Sequence, residues 1–294
     1  MRLLSGSFRP VTALILRPLM AVMLAFTLAG CDTLSSLNPF GDDEPYKPEI
    51  KAAQPAEVLY NQGLALLNDS SFEAAAKRFG KLDREYPFST WSKKALLMQT
   101  YAYYNARNYD ETAIAGKRFM GLYPASEDAA YVAYMMANAY YNQIPDVARD
   151  QDRAEKALNS FREIVERWPK SEYANDARFK ITVVQDQLAG REMDIGRYYL
   201  KRHNYTAAIN RFRAVVSQYQ RTNQTEEALA RLAEAYLALG ISNEAQTAAA
   251  VLGHNYPDSK WYHDTYALLQ TKGLEPRESA DSWMSKLFKS VGLG

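Results

Sequence analysis

The chain has 294 residues, 47% of them hydrophobic and 23% charged, with 35 basic against 34 acidic side chains. That profile describes a folded globular protein long enough for one large or two modest domains. The even charge balance leaves no dominant basic face and argues against a nucleic-acid partner, and the single cysteine, Cys31, leaves none for an internal disulfide.

In chain order, Arg2, Arg9 and Arg17 precede an uncharged run, LMAVMLAFTLAG at 19–30. A basic start followed by such a run reads as a secretory signal, too short to span a bilayer comfortably. It closes on Leu28-Ala29-Gly30-Cys31, which resembles the lipobox of bacterial lipoproteins, where the cysteine is acylated and becomes the mature N-terminus. Lipidation of Cys31 also accounts for a lone cysteine in an exported chain. Loss of residues 1–30 would leave 32 basic and 34 acidic residues. Residues 31–55, with four prolines and little apolar periodicity, read as a tether.

Beyond the tether the chain repeats itself. Tyr-Tyr-Asn occurs at 103–105 and 140–142, Tyr86-Pro87 recurs as Tyr123-Pro124, and Tyr219 recurs as Tyr256, each 37 residues on. Self-similarity at that period marks a repeat architecture. In the first unit, Leu59, Gly63 and Leu66 lie on one helical face. The polar break NDSSF follows at 68–72, then Ala75, Phe79 and Leu82 on a second face, then Pro87. The spacing Leu59, Gly63, Ala75, Phe79, Pro87 resembles the tetratricopeptide repeat, in which small residues let two antiparallel helices approach and the aromatic fills the space to the next hairpin.

About five such units can be followed. The second is degenerate, with Thr112 and Gly116 at the usual Ala and Phe positions; the third carries Ala157, Phe161 and Pro169; the fourth Gly196, Ala208, Phe212 and Gln220 in place of Pro; the fifth Ala233, Tyr236, Ala245 and Pro257. The eight extra residues between Pro124 and Pro169 fit the polar loop at 142–152, and the extra residues of the long interval from Trp168 to Tyr219 sit in a stretch, 172–204, that contains no proline. The expected fold is all-α: a solenoid of about five hairpins, repeats one to three over 56–171 and repeats four and five over 172–272. One long helix joins repeats three and four. An amphipathic tail, 273–294, carries an apolar stripe of Trp283, Leu287, Phe288 and Val291 beside Lys286 and Lys289. It suits a partner or a headgroup region, or else folds back on the last repeat.

Two adjacent tyrosines cannot face one direction on a helix. Tyr103 and Tyr140 fall at the position of Tyr236, where the ring packs between helices. Tyr104, Asn105, Tyr141 and Asn142 then point toward the concave side, joined by Tyr60, Tyr101, Tyr134 and Asn138. Such a ladder suits capture of an extended peptide, because the rings supply area at low entropy cost. The competing reading is that aromatics at helical spacing are core.

Specific stretches add a resemblance: EYPFSTWS at 85–92, YAYYN at 101–105, Arg118-Phe119, YVAYM at 131–135, Arg149-Asp150, PKSEYANDAR at 169–178 and REMDIGRYYLKRHNYTAAINRF at 191–212. Together with Cys31 these are similar to the BamD family, the helical-repeat lipoproteins of the outer-membrane β-barrel assembly machinery, over roughly residues 31–270. The resemblance implies a non-catalytic lipoprotein at the periplasmic face of the outer membrane. Its C-terminal repeats would dock on the POTRA region of BamA, with Arg211 at the family's contact position. Its N-terminal repeats would receive C-terminal segments of unfolded outer-membrane proteins. Arg211 also reads as a surface ion pair, and Asp32 after the cysteine leaves retention in the inner membrane open.

No G-x-S-x-G, G-x-G-x-x-G, P-loop or H-E-x-x-H motif occurs, and His203, His254 and His263 lack ligand spacing. No catalytic residue, metal or cofactor is expected apart from the lipid on Cys31. Other readings are a different envelope repeat lipoprotein, such as a secretin pilotin, or a peptidoglycan-associated scaffold.

Overall fold

The computed structural model describes residues 54–290, so the signal-like stretch, Cys31, Asp32 and nearly all of the tether lie outside the described residues. Within it the chain is an all-α solenoid of tetratricopeptide-like hairpins. The pairs are α1 (Ala56–Asn68) with α2 (Phe72–Glu85), α3 (Thr90–Asn105) with α4 (Tyr109–Leu122), and α5 (Ala129–Tyr141) with α6 (Asp152–Arg167). Then follow α7 (Tyr173–Lys201) with α8 (Tyr205–Gln218), and α9 (Thr225–Ala238) with α10 (Ser242–Asn255). Two further helices, α11 (Lys260–Gln270) and α12 (Trp283–Ser290), complete the described chain, and no described helix is long and apolar enough to cross a membrane.

Small residues set the spacing of each hairpin. A Cβ on Gly63 would fall 2.5 Å from the Phe79 ring, and one on Gly196 would fall 2.4 Å from the Phe212 ring. The aromatic therefore lies directly on the backbone of its partner helix. The other three hairpins put Thr100, Ala137 and Ala233 at this position, each 0% exposed. On the second helices Ala75, Thr112, Ala157, Ala208 and Ala245 are equally sealed. Full burial of each ring is worth about 2–3 kcal/mol of transfer free energy. In the degenerate second repeat, Met136 of α5 covers Gly116, where a Cβ would meet its Cγ at 2.4 Å.

The turns repeat as faithfully as the helices. Between first and second helices the chain passes through one left-handed residue: Ser70 (φ 57°), Arg107 (φ 60°), His203 (φ 58°) and Gly240 (φ 75°). Only glycine adopts that conformation without a steric penalty of about 1–2 kcal/mol. The third hairpin replaces this turn with the polar insertion. There Gln187 Nε2 donates to the Pro145 carbonyl at 3.1 Å and Arg191 Nη1 to that of Ala148 at 2.7 Å.

Between hairpins, Tyr86, Tyr123, Trp168, Tyr219 and Tyr256 each end a helix at φ between −130° and −138°. Each of their carbonyls accepts the backbone N–H of the residue three positions on: Ser89, Ser126, Ser171, Thr222 and Ser259. The hydroxyls of Ser89, Ser171 and Thr222 donate to the same carbonyls. The repeat signature is thus aromatic-x-x-Ser/Thr, and Gln220 replaces proline without altering the turn.

Helix α7 runs 29 residues without a break. Its first half gives Ala177, Val184 and Leu188 to the core around Phe161, and its second half gives Ala189, Met193 and Leu200 to the core around Phe212. The tail resolves to the folded-back alternative. Met284 and Phe288 are buried at 0% and 1% exposure in the core of repeats four and five. Trp283 lies under the Arg213 guanidinium at 4.6 Å and donates from Nε1 to the Tyr236 hydroxyl at 3.3 Å. Much of the stripe expected to meet a partner or headgroups is used inside the chain; Val291 lies outside the described residues.

Gly196→Ala should lower unfolding free energy by about 1–3 kcal/mol in urea titration, because overpacking against Phe212 outweighs the roughly 1 kcal/mol gain in helix propensity.

Candidate functional site

The adjacent tyrosines divide as the helix requires. Tyr140 and Tyr236 are each 6% exposed, turned toward the second helices. Tyr104 and Tyr141 face the other way and are half-buried.

On that side, first helices α3, α5 and α7 contribute a run of rings. Tyr101 and Tyr104 of α3 pack with Tyr131 of α5 around Leu96, Phe119, Val132 and Met135. Tyr131 and Tyr134 both stack on Tyr173 of α7, with centroids 5.5 and 4.9 Å apart. Tyr141 meets Phe161 edge-on at 6.1 Å. The Asn142 amide reaches the Tyr104 hydroxyl at 3.5 Å across the step between repeats. Beyond Tyr141 the insertion opens a recess of about 240 Å³ lined by Ile144, Pro145, Val183 and Gln187. Phe179, on the same stretch of α7, is 67% exposed.

Lys180 is the hub of the ladder. Its Nζ lies 2.9 Å from Asp176, bonds Asn138 Oδ1, and sits over the rings of Tyr134, Tyr141 and Phe161 at 5.2, 5.5 and 5.7 Å. Tyr134 donates to Asp176 at 2.6 Å. Burial pushes the Asp176 carboxyl up, but hydrogen bonds from Tyr134 and Lys180 outweigh it and hold the group below the usual carboxylate range. Burial pulls Lys180 down, and its bond to Asp176 with the neighbouring charges reverses that, leaving it raised. Burial and the adjacent Glu172 push the Tyr173 phenol up to about 12. The result is a neutral aromatic surface with an internally compensated charge pair.

The sequence-predicted residues distribute unevenly over this surface. Tyr101, Tyr104, Tyr134 and Tyr141 share it. Asn105 is exposed at its edge, with its amide spent on the Tyr101 carbonyl at 2.8 Å. Asn138 departs from the expectation of an open position: it is 4% exposed, its amide donates to the Tyr134 carbonyl at 2.8 Å, and its oxygen holds Lys180. It supports the cation rather than facing an incoming chain. Tyr60 packs at a tilt on Phe79 and Trp91, with centroids 5.5 and 5.1 Å away, half-buried against the N-terminal core and with no ring contact to the others. Arg211 lies in the rear half on α8, its Nη1 3.1 Å from Glu192 of α7, both partly exposed. Tyr131, Tyr173, Asp176 and Lys180 were not picked out by sequence reading. Tyr131 lies one helical turn before Tyr134, the signal that could have found it.

Residues 52–252 match the family model described as "YfiO: Outer membrane lipoprotein". The outer membrane protein assembly factor BamD of Caulobacter vibrioides is 43% identical over 87% of this chain and 81% of its own. The chain belongs to the BamD family. BamD of Rickettsia prowazekii is likewise 43% identical, over 74% of this chain and 86% of its own. BamD of Neisseria meningitidis serogroup A is 31% identical over 82% and 91%. The family match ends at residue 252, so the returning tail lies beyond it.

The raised Tyr173 phenol predicts a window of alkaline lability. Its contribution is fully present below the ordinary phenol value near 10 and is lost as pH rises through about 12. Between those limits Tyr173→Phe should flatten the loss of stability seen for the native chain, measured by denaturant titration at stepped pH.

Proposed function

We propose that this chain is a lipid-anchored, non-catalytic scaffold and substrate receptor in the assembly of β-barrel proteins into the outer membrane. Membership of a family whose relatives are named outer membrane protein assembly factors supports that setting. The lipobox-like stretch ending at Cys31 supports attachment through a lipid at the periplasmic face. The observation that carries the receptor role is the continuous ladder of half-buried tyrosines from Tyr101 to Tyr173. Its donors and acceptors are aimed along one side of the first helices, and its charges are already neutralised.

An extended, aromatic-rich segment from the C-terminus of an unfolded outer-membrane protein suits such a surface. Its rings stack on tyrosines while its backbone meets the phenols of Tyr104 and Tyr141. The rear repeats, carrying Arg211 and Glu192 at the α7–α8 contact, are the proposed seat of the POTRA region of BamA.

Tyr104→Ala with Tyr141→Ala should weaken binding of a peptide ending like an outer-membrane protein by about tenfold or more, since buried tyrosines are typical anchors of such contacts. Unchanged affinity by calorimetry would remove the groove assignment. Arg211→Glu reverses the charge facing Glu192, and in a pull-down it should release BamA while helical circular dichroism is retained. Normal co-purification would count against the docking site.

A further inference from the structure

The side of the solenoid opposite the ladder carries two recesses that are copies of one another. The first, about 330 Å³, lies between second helices α2 and α4 with Gln99 and Tyr103 of α3 at its floor. The second, about 400 Å³, lies between α4 and α6 with Met136 and Tyr140 of α5 at its floor. Eight lining positions correspond, at a shift of 37 residues on the first two helices and 45 on the third; Arg84 lines only the first recess, and Ala133 and Arg167 only the second. The inward-turned tyrosine of each Tyr-Tyr pair therefore serves this opposite face.

Equivalent positions carry different chemistry. In the first recess Asp83, 4% exposed, accepts from Ser92 at 2.7 Å and from Arg118 at 2.8 Å, tying α2 to α4. In the second, Met120 stands for Asp83, Met136 for Gln99 and Glu163 for Arg118. Glu163 turns to Arg167 on its own helix, so no ion pair crosses the recess at that position among the described residues. What remains is a methionine-walled slot rimmed by Lys117, Lys156 and Arg167 against the single acid Glu163. Lys117 has no ionic partner among the described residues, while the acids that pair with Lys156 and Arg167 are exposed and one turn away on the same helix, and Arg167 also lies over the Trp168 ring at 4.4 Å.

We propose that this slot between α4 and α6 docks an acidic segment of a partner protein. One large apolar side chain of that segment would seat between Met120 and Met136, and its flanking carboxylates would meet Lys117 and Lys156. The volume fits one or two side chains, methionine adapts to varied apolar shapes, and the uneven rim selects negative charge. The site is separate from the tyrosine ladder and does not depend on it.

The test uses the purified full chain and a fluorescein-labelled peptide, Glu-Glu-Leu-Phe-Glu-Glu, with a Lys-for-Glu version and an Ala-for-Leu-Phe version as controls. Only the acidic apolar peptide should bind saturably in fluorescence polarisation, more weakly as salt rises. Grafting the first recess onto the second with Met120→Asp, Met136→Gln and Glu163→Arg should weaken it by about tenfold or more, the equivalent of losing one buried apolar side chain. Lys117→Glu, at an exposed position that leaves the walls intact, should also weaken it, with unchanged thermal melting. No saturable binding, equal binding of the lysine peptide, or unchanged affinity in both variants would overturn the proposal. Self-association of the chain that the graft abolishes would also overturn it, by assigning the slot to a second copy.

Discussion

The closeness of the two helices in each hairpin is the constraint on which the rest of the solenoid depends. Phe79 and Phe212 rest on the backbones of Gly63 and Gly196, at separations that leave no room for even one carbon atom. A helix pair held this tightly has one relative placement, because protein interiors are close-packed and barely compressible. The face that each hairpin offers its neighbour is fixed in turn, and the neighbour's aromatic carbonyl, tied to a serine or threonine, sets the entry to the next unit. Spacing of the tyrosines across α3, α5 and α7 is a remote product of these small residues.

The ladder shows how charged groups can be kept at an aromatic surface without making it a charged site. Lys180 is tethered by Asp176 and Asn138 and shielded by three rings. Removing one partner would leave the other uncompensated in a partly desolvated place, which costs more than the pair itself contributes. Tyr134 and Tyr173 remain neutral phenols at any physiological pH, able both to donate and to accept. Stacking of Tyr131 and Tyr134 on Tyr173 also joins repeat three to the long helix through the aromatic surface itself.

Much of this was written in the sequence. The offset of 37 residues announces hairpins because the same small residues must recur wherever two backbones meet, and the proline-free interval announces α7 because nothing interrupts its pattern. The division of each Tyr-Tyr pair follows from helix geometry alone. Less legible was what lies across helices. Lys180 is 42 residues from Asn138 and falls outside the repeat period, so no spacing rule pairs them. Asn138 looked like another Asn105, yet it stands at the repeat position of Tyr101, one turn before Asn142, and is sealed. Tyr60 occupies the position of Tyr134 in the repeat but has Phe79 and Trp91 for company, and so packs half-buried against the N-terminal core. The tail was ambiguous because an apolar stripe on a short helix looks the same whether it meets lipid, a partner or its own chain. Only Tyr236, Arg213 and the core of repeats four and five decide between them.

Helix α7 bears Asp176 in its first turn and Glu192 about two-thirds of the way along, with an unbroken backbone between them. Sixteen helical residues correspond to a rise of roughly 24 Å, spanned here by one unbroken helix with no loop between its two ends. The aromatic surface and the Arg211 patch are therefore mounted on a common ruler. Whatever occupies one is delivered at a set distance and bearing from whatever holds the other, with the turnbuckle role of a flexible linker designed out.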